Sequence, residues 1–331
     1  MLYKPQAGLG PDVAKCTAQV CNLRTMASDE RTEKDQAGPS VGVIGLGIMG
    51  GAFADHLATA GVPTFGFDVL QPNLEALEAR GGCARRSARE VALESQVVIT
   101  SLPHVEALED TLFGSDGLVA AERPGAIVVE TSTFPVEAKK AARARLAEAG
   151  IAMVDAPVSG TGSQAKLKDI VVFVSGEAEH FERIRGVLSH FARSVRYVGE
   201  FGVGSKLKFV HNLLVAVHIV AAAEALVLAE KAGLDPALAL ELLIDSSATS
   251  RMLEVRGPSM VTGTYATPMT RIDVFQKDLD IIGDFASAFG CEASLFNASV
   301  PLYASASAQE MGGYDTAAVV AVLREMAGLS R

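Results

Sequence analysis

Positive charge is in short supply in this chain. Its 331 residues carry 29 Lys and Arg against 39 Asp and Glu, a formal net charge of −10. That balance argues against nucleic acid as a partner, because phosphate binding needs a basic face. A few local cations can still hold a small anion in an acidic protein. Cysteine is scarce as well: Cys16, Cys21, Cys83 and Cys291 show no metal-ligand spacing and have no histidine cluster beside them, so no metal centre is expected. Residues 1–40 lack the continuous apolar core of a secretory signal, and a cytoplasmic location is the expectation. Only residues 209–229 approach membrane length. They include His211, Asn212, His218 and Glu224 among small residues suited to close packing, which reads as a long buried helix and gives no membrane partner. There is no internal repeat.

What is present describes an ordinary soluble protein, 49% hydrophobic and 21% charged, with room for two domains. Residues 1–40 mix Pro5, Gly8, Gly10, Pro11 and the run Asp29-Glu30-Arg31 without an apolar period. They read as a disordered extension, either a tail or the product of a start upstream of Met26. From Val41 onward, apolar strands alternate with helices: 41–44, 64–67, 97–100, 126–129, 151–154 and 170–174. Such continuous β-branched runs predict a mostly parallel sheet covered on both faces. After about Gly202 the strands stop, and helices are expected over 205–232, 235–245, 274–289 and 315–327. Gly233 and Gly290 act as stops, Asp235-Pro236 and Asp315 as starts. The expected fold is α/β: a Rossmann-type parallel-sheet domain over 41–201, followed by an all-helical C-terminal domain over 202–331.

Gly45-Leu46-Gly47-Ile48-Met49-Gly50 follows the first strand and opens a helix. In such a GxGxxG turn the first glycine makes the tight turn, the second lets backbone approach a pyrophosphate, and the third lets helix and strand touch. The helix N-terminus offers free N–H groups to the phosphates. Asp68 closes the second strand, where a carboxylate receives the adenosine ribose hydroxyls and repels a 2′-phosphate. It is followed by Val69 and Leu70 rather than arginine, so NAD is expected over NADP.

Four further motifs follow in order: TSTFP (131–135), DAPVSG (155–160), GVGSKLKFVHN (202–212) and QKDLD (276–280). With GVIGLGIMG (42–50) they resemble the β-hydroxyacid dehydrogenases, a family that includes 3-hydroxyisobutyrate dehydrogenase and tartronate semialdehyde reductase. The likeness runs from about Val41 to Leu323. It implies that Lys208 is the proton-transfer residue and Asn212 its neighbour in catalysis. It also implies that Ser132, Ser159 and Gly160 hold a substrate carboxylate, and that Leu102, Pro103, Thr133 and Lys277 border the cofactor. Helix geometry independently favours Lys208 over Lys206: Lys208 and Asn212 lie on one face, about 40° apart at roughly 100° per residue. Short hydroxyls and a glycine turn suit an anion, and a desolvated lysine suits proton exchange with an alcohol. Asp278 is read as serving helix structure.

Three positions depart from the family pattern. Thr161 replaces a glycine and narrows or re-aims the anion pocket. His211 replaces the first of two asparagines, one turn from Lys208. Lys168 replaces a glycine and, where it reaches the pocket, would favour a second anionic group. The expected activity is reversible NAD-dependent oxidation of a small 3-hydroxy acid. An imine reductase or a non-catalytic dinucleotide-binding module is the alternative on the same scaffold, and Lys208 weighs against both. The apolar positions Leu213, Leu214, Val217 and Ile219 suggest a homodimer or homotetramer.

Overall fold

The computed structural model describes residues 38–329, so the reading of residues 1–40 as a disordered extension lies, apart from 38–40, outside the described residues. Six strands form the main sheet: Val41–Ile44 (β1), Thr64–Phe67 (β2), Cys83–Ala84 (β3), Val97–Thr100 (β4), Ile127–Glu130 (β5) and Ala152–Asp155 (β6). All pairings are parallel, in the order β3-β2-β1-β4-β5-β6. Period-two alternation feeds two cores at once. Val41, Val43, Val97, Ile99 and Ile127 enter one, while Ile44, Val98 and Val128 enter the other. Strands buried on both faces explain why these runs are β-branched without polar interruption. The strand order reverses between β1 and β4, and ligands of doubly wound sheets bind outside the C-terminal ends at such a point.

Ile48–Thr59 (α1) leaves the glycine turn and buries Ala52, Phe53, Ala54 and Leu57. Gln71–Ala79 (α2), Ala88–Glu94 (α3), Val105–Phe113 (α4) and Val136–Glu148 (α5) complete the crossovers. A second, smaller sheet follows: Val158–Ser159 (β7), Val171–Val174 (β8) and Ser194–Tyr197 (β9), with Gly162–Lys166 (α6) and Ala178–Ser189 (α7) between them. Here β8 runs antiparallel to β7 and parallel to β9. The run at 170–174 therefore belongs to a separate mixed sheet, joined to β6 through an Asp155–Ser175 bridge.

Beyond Gly202 the chain is helical: Val203–Lys231 (α8), Pro236–Ile244 (α9), Arg251–Thr262 (α10), Ile272–Ala288 (α11), Ser294–Ala306 (α12) and Val319–Met326 (α13). Helices α10 to α13 all pack on α8. By length and composition α8 is apolar enough to cross a membrane, yet it forms the axis of this bundle, with Ala216, Ile219, Ala223 and Leu226 buried. Ile219 is thus a core residue, not an interface one. The exposed apolar stripe lies on the other side of α8, at Leu207, Val210, Leu214 and Leu228.

Candidate active site

A cleft of about 570 Å³ opens where the C-terminal ends of β1, β4 and β5 meet α8 and α11. Its wall on the sheet side includes Ile48, Met49, Leu102, Ser132 and Thr133; across from them stand Ser159, Gly160, Lys208, Asn212 and Lys277. Gly45, Leu46, Gly47, Gly50, Asp68 and Pro103 are outside this lining.

The glycine turn divides its labour visibly. Gly45 sits at φ +85°, and a Cβ there would lie 2.2 Å from the Ser101 carbonyl oxygen. A Cβ on Gly50 would lie 1.9 Å from the Gly45 carbonyl oxygen. Gly45 therefore lets the turn close against the loop after β4, and Gly50 lets α1 pack against its own turn. Among the described residues, a Cβ on Gly47 would meet no atom within 4 Å, and Gly47 caps α1 without a side-chain acceptor. Its backbone faces open space, which is what close approach of a pyrophosphate requires. Asp68 accepts from Leu46 N–H at 2.7 Å and Leu70 N–H at 2.8 Å, tying the end of β2 to the glycine turn.

The two serines differ in their bonds. Ser132 is buried, and its Oγ accepts from Leu102 N–H at 2.9 Å. Ser159 Oγ lies 2.9 Å from His211 Nε2. Gly160 adopts φ +142°, and a Cβ there would strike Ile170 at 2.6 Å. Thr161 caps α6 in a capping box with Gln164, so its side chain serves the helix start while lining the cleft. Lys168 is an exposed left-handed turn residue at φ +61° and is not among the cleft lining.

Lys208 stands in the second turn of α8, half-buried, with Nζ donating to the Val158 carbonyl at 2.7 Å. Burial draws its pKa down to about 8; the Asp278 carboxylate opposes that shift and the Lys277 charge adds to it. Asn212, one turn on, donates from Nδ2 to Asp278 Oδ2 at 2.9 Å, and its Oδ1 lies 2.9 Å from His211 Nδ1. His211 is driven down to about 4, first by burial and then by the Lys208 charge, so the imidazole is neutral. Asp278 is pushed upward by burial, with Lys277 and Lys208 opposing. It sits within the polar cluster of the site rather than serving helix structure alone. Lys277 donates to the Thr133 carbonyl at 2.7 Å, lies 3.4 Å from Asp278 and stands over the Phe134 ring. It thereby ties α11 to the loop after β5.

Sequence reasoning overlooked the groups that hold this arrangement in place. Lys139 is fully buried, with Nζ 2.6 Å from Glu130, 2.8 Å from Asp155 and 2.7 Å from the Ser132 carbonyl. Burial alone would depress it, but the two carboxylates outweigh burial and hold it above the ordinary lysine value. Asp155 also accepts from Ser205 N–H at 2.8 Å and Ser205 Oγ at 2.7 Å, while Ser175 Oγ accepts from Gly202 and Gly204 N–H. Free N–H groups at the start of α8 are thus satisfied by side chains from β6 and the end of β8. Arg256, also buried, reaches the cleft wall while bound to Asp315 at 2.9 Å and Thr316 at 3.0 Å. Asp155 opens the DAPVSG motif, and its position at a strand end is the signal that could have found it. Lys139 and Arg256 carry none: Lys139 reads as one of several charges along a polar helix, and Arg256 finds Thr316 60 positions away.

Comparison with known proteins agrees with this architecture. Residues 40–199 match the family model for the NAD binding domain of 6-phosphogluconate dehydrogenase, and residues 202–323 match that for the NAD-binding region of NADP-dependent 3-hydroxyisobutyrate dehydrogenase. The chain is 36% identical over 284 residues to an L-threonate dehydrogenase of Cupriavidus necator, covering 86% of this chain and 95% of that one. It is 32% identical over 292 residues to a 2-(hydroxymethyl)glutarate dehydrogenase of Eubacterium barkeri, covering 88% and 96%. The crystal structure of a 3-hydroxyisobutyrate dehydrogenase from Salmonella typhimurium superposes with a TM-score of 0.79 at 33% identity, covering 86% of this chain and 99% of that one. The chain belongs to the β-hydroxyacid dehydrogenase family, nicotinamide-dependent oxidoreductases acting on CH–OH groups.

Proposed function

We propose that this protein interconverts a small 3-hydroxy carboxylic acid and its aldehyde or ketone, with NAD as cofactor and Lys208 as general acid and base. The observation that carries this reading is the lysine itself: a desolvated amine with pKa about 8, facing a cleft lined by serine hydroxyls. A group so poised is partly neutral near physiological pH and can take a hydroxyl proton or return it. Its bond to the Val158 carbonyl fixes the direction of the amine while leaving its lone pair for the substrate.

The nicotinamide dinucleotide supplies hydride acceptance or donation when bound. The protein's part is to hold both reactants. Gly47 and the open start of α1 would receive the pyrophosphate, with Leu46, Ile48 and Met49 beside it; Gly45 and Gly50 keep that turn tight. Asp68, anchored by two backbone N–H groups, would meet the ribose hydroxyls and disfavour a 2′-phosphate. Leu102, Pro103, Thr133 and Lys277 border the same space. Ser132, Ser159 and Gly160 would hold the substrate carboxylate, and Asn212 steadies the reacting end. The threonate and 2-(hydroxymethyl)glutarate named for the relatives are carboxylates with a nearby hydroxyl, as this constellation requires.

The domain boundary falls between residues 201 and 202, where Rossmann-type sheets give way to helices. The exposed stripe of α8 serves a homodimer or homotetramer, and the enzyme works in the cytoplasm. Incubating the purified protein with a panel of 3-hydroxy acids and either NAD or NADP, while following nicotinamide absorbance, tests the reading. Reduction of NAD by at least one such acid is expected. Silence across the panel with both cofactors would remove it.

A further inference from the structure

We propose that Ser159 accepts a hydrogen bond from a second substrate hydroxyl, so that the site selects acids bearing vicinal hydroxyls. This rests on the reading of the cleft as a hydroxy-acid site, and it alters one residue's part in that reading.

The proton inventory of four neighbouring side chains carries the inference. Asp278, ion-paired with Lys277 at 3.4 Å, accepts from the Asn212 amide N–H at 2.9 Å. The amide orientation is thereby set, and its carbonyl oxygen faces His211 Nδ1 at 2.9 Å. A carbonyl only accepts, so Nδ1 must carry the imidazole proton. In a neutral imidazole the other nitrogen is then bare. Nε2 lies 2.9 Å from Ser159 Oγ and can only accept, so the serine gives it the hydroxyl proton. What Ser159 turns toward the cleft is lone-pair density.

Ser132 is in the opposite state. Its oxygen receives the Leu102 N–H at 2.9 Å, which leaves its own proton for an incoming acceptor. One cleft therefore holds two serines of opposite polarity: Ser132 suits a carboxylate, and Ser159 suits an O–H. A carboxylate oxygen placed against Ser159 would meet lone pairs with no proton between them. A hydroxyl adjacent to the reacting carbinol would satisfy it, whereas a methyl or hydrogen in that place leaves a buried acceptor unpaired.

Two matched substrate pairs test this, each differing by one hydroxyl at C2: glycerate against 3-hydroxypropanoate, and threonate against 3,4-dihydroxybutanoate. The ratio of kcat/KM within one preparation is independent of the active fraction, so a partly folded variant still reports. Wild-type enzyme should prefer the C2-hydroxylated acid by at least about 10-fold. That ratio should collapse to within about 3-fold in Ser159→Ala, and likewise in His211→Asn, whose shorter side chain removes the Nε2 acceptor and leaves the serine its own proton. Good turnover with a wild-type ratio near one, or a ratio unchanged in Ser159→Ala, overturns the inference and leaves the dehydrogenase reading intact. Absence of turnover with all four acids and both cofactors overturns the inference, and only silence across the wider panel of 3-hydroxy acids removes the dehydrogenase reading as well. A separate readout needs no substrate: 15N spectra of the six labelled histidines, with His211 assigned by its absence in His211→Asn or His211→Gln. The Nδ1–H neutral form is expected, and an Nε2–H form for His211 would sink the proposal.

Discussion

Two lysines of this chain stand in desolvating surroundings, Lys139 wholly buried and Lys208 half-buried, and their environments send them in opposite directions. Lys139 is enclosed by Glu130, Asp155 and a backbone carbonyl, and it is held more firmly protonated than a lysine in solution. Lys208 meets one carbonyl, with Asp278 as its opposing charge and Lys277 as a like one, and its pKa falls to about 8. Burial acts on both; the number of close carboxylates decides the outcome. The first lysine is a fastener; in the function proposed above, the second is the reagent. Location follows the same division, because Lys139 sits in the sheet region behind the loops while Lys208 opens on the cleft.

The sharpest break in that comparison is Lys208→Ala. Turnover should fall by roughly 10²–10⁴-fold, the usual worth of a positioned acid or base, while calorimetric titration still detects the cofactor. Activity near the wild-type level would make Lys208 another fastener. Lys139→Met should act through folding instead, leaving two buried carboxylates uncompensated at a cost of about 3–5 kcal/mol, read from urea denaturation. A smaller contrast separates the glycines. Gly47→Ala should leave thermal stability unchanged and weaken cofactor binding by about 10-fold, whereas Gly50→Ala should lower stability as well, since its Cβ would meet the Gly45 carbonyl at 1.9 Å. The finest test is pH. Oxidation needs the neutral amine, so kcat/KM should rise with pH and level off above about 8; reduction needs the ammonium and should fall through the same range. Removing the carboxylate in Asp278→Asn should move this limb to lower pH, and removing the cation in Lys277→Met should move it higher, each by up to about one unit.

Much of this fold is legible in the amino-acid sequence. Strands β1, β2 and β4 lie where the apolar runs place them, because strands buried on both faces leave little sequence freedom. Helix ends at Gly233 and Gly290 do adopt positive φ. Helices α10 and α12 are hidden from such a reading, since Pro258 and Pro301 lie inside them and proline ordinarily ends a helical pattern. Packing overrides that preference: Leu253, Met260, Phe296 and Tyr303 are all buried in the helical core. Two-residue strands such as β3 and β7 are too short for any periodicity to show. Within the site, local motifs announce the residues that line the cleft. The direction of the Ser159–His211–Asn212–Asp278 bonds is invisible to them, because it depends on partners 52 and 66 positions apart.

The clamp at the start of α8 works as an angular reference for everything downstream. Asp155 and Ser175 grip Gly202, Gly204 and Ser205, and Lys208 follows within one turn. One residue added or removed between the grip and the lysine would swing the amine by about 100° around the axis, carrying it off the cleft and bringing an apolar neighbour into its place. Side chains in that short span can be exchanged with modest effect, but its length cannot change.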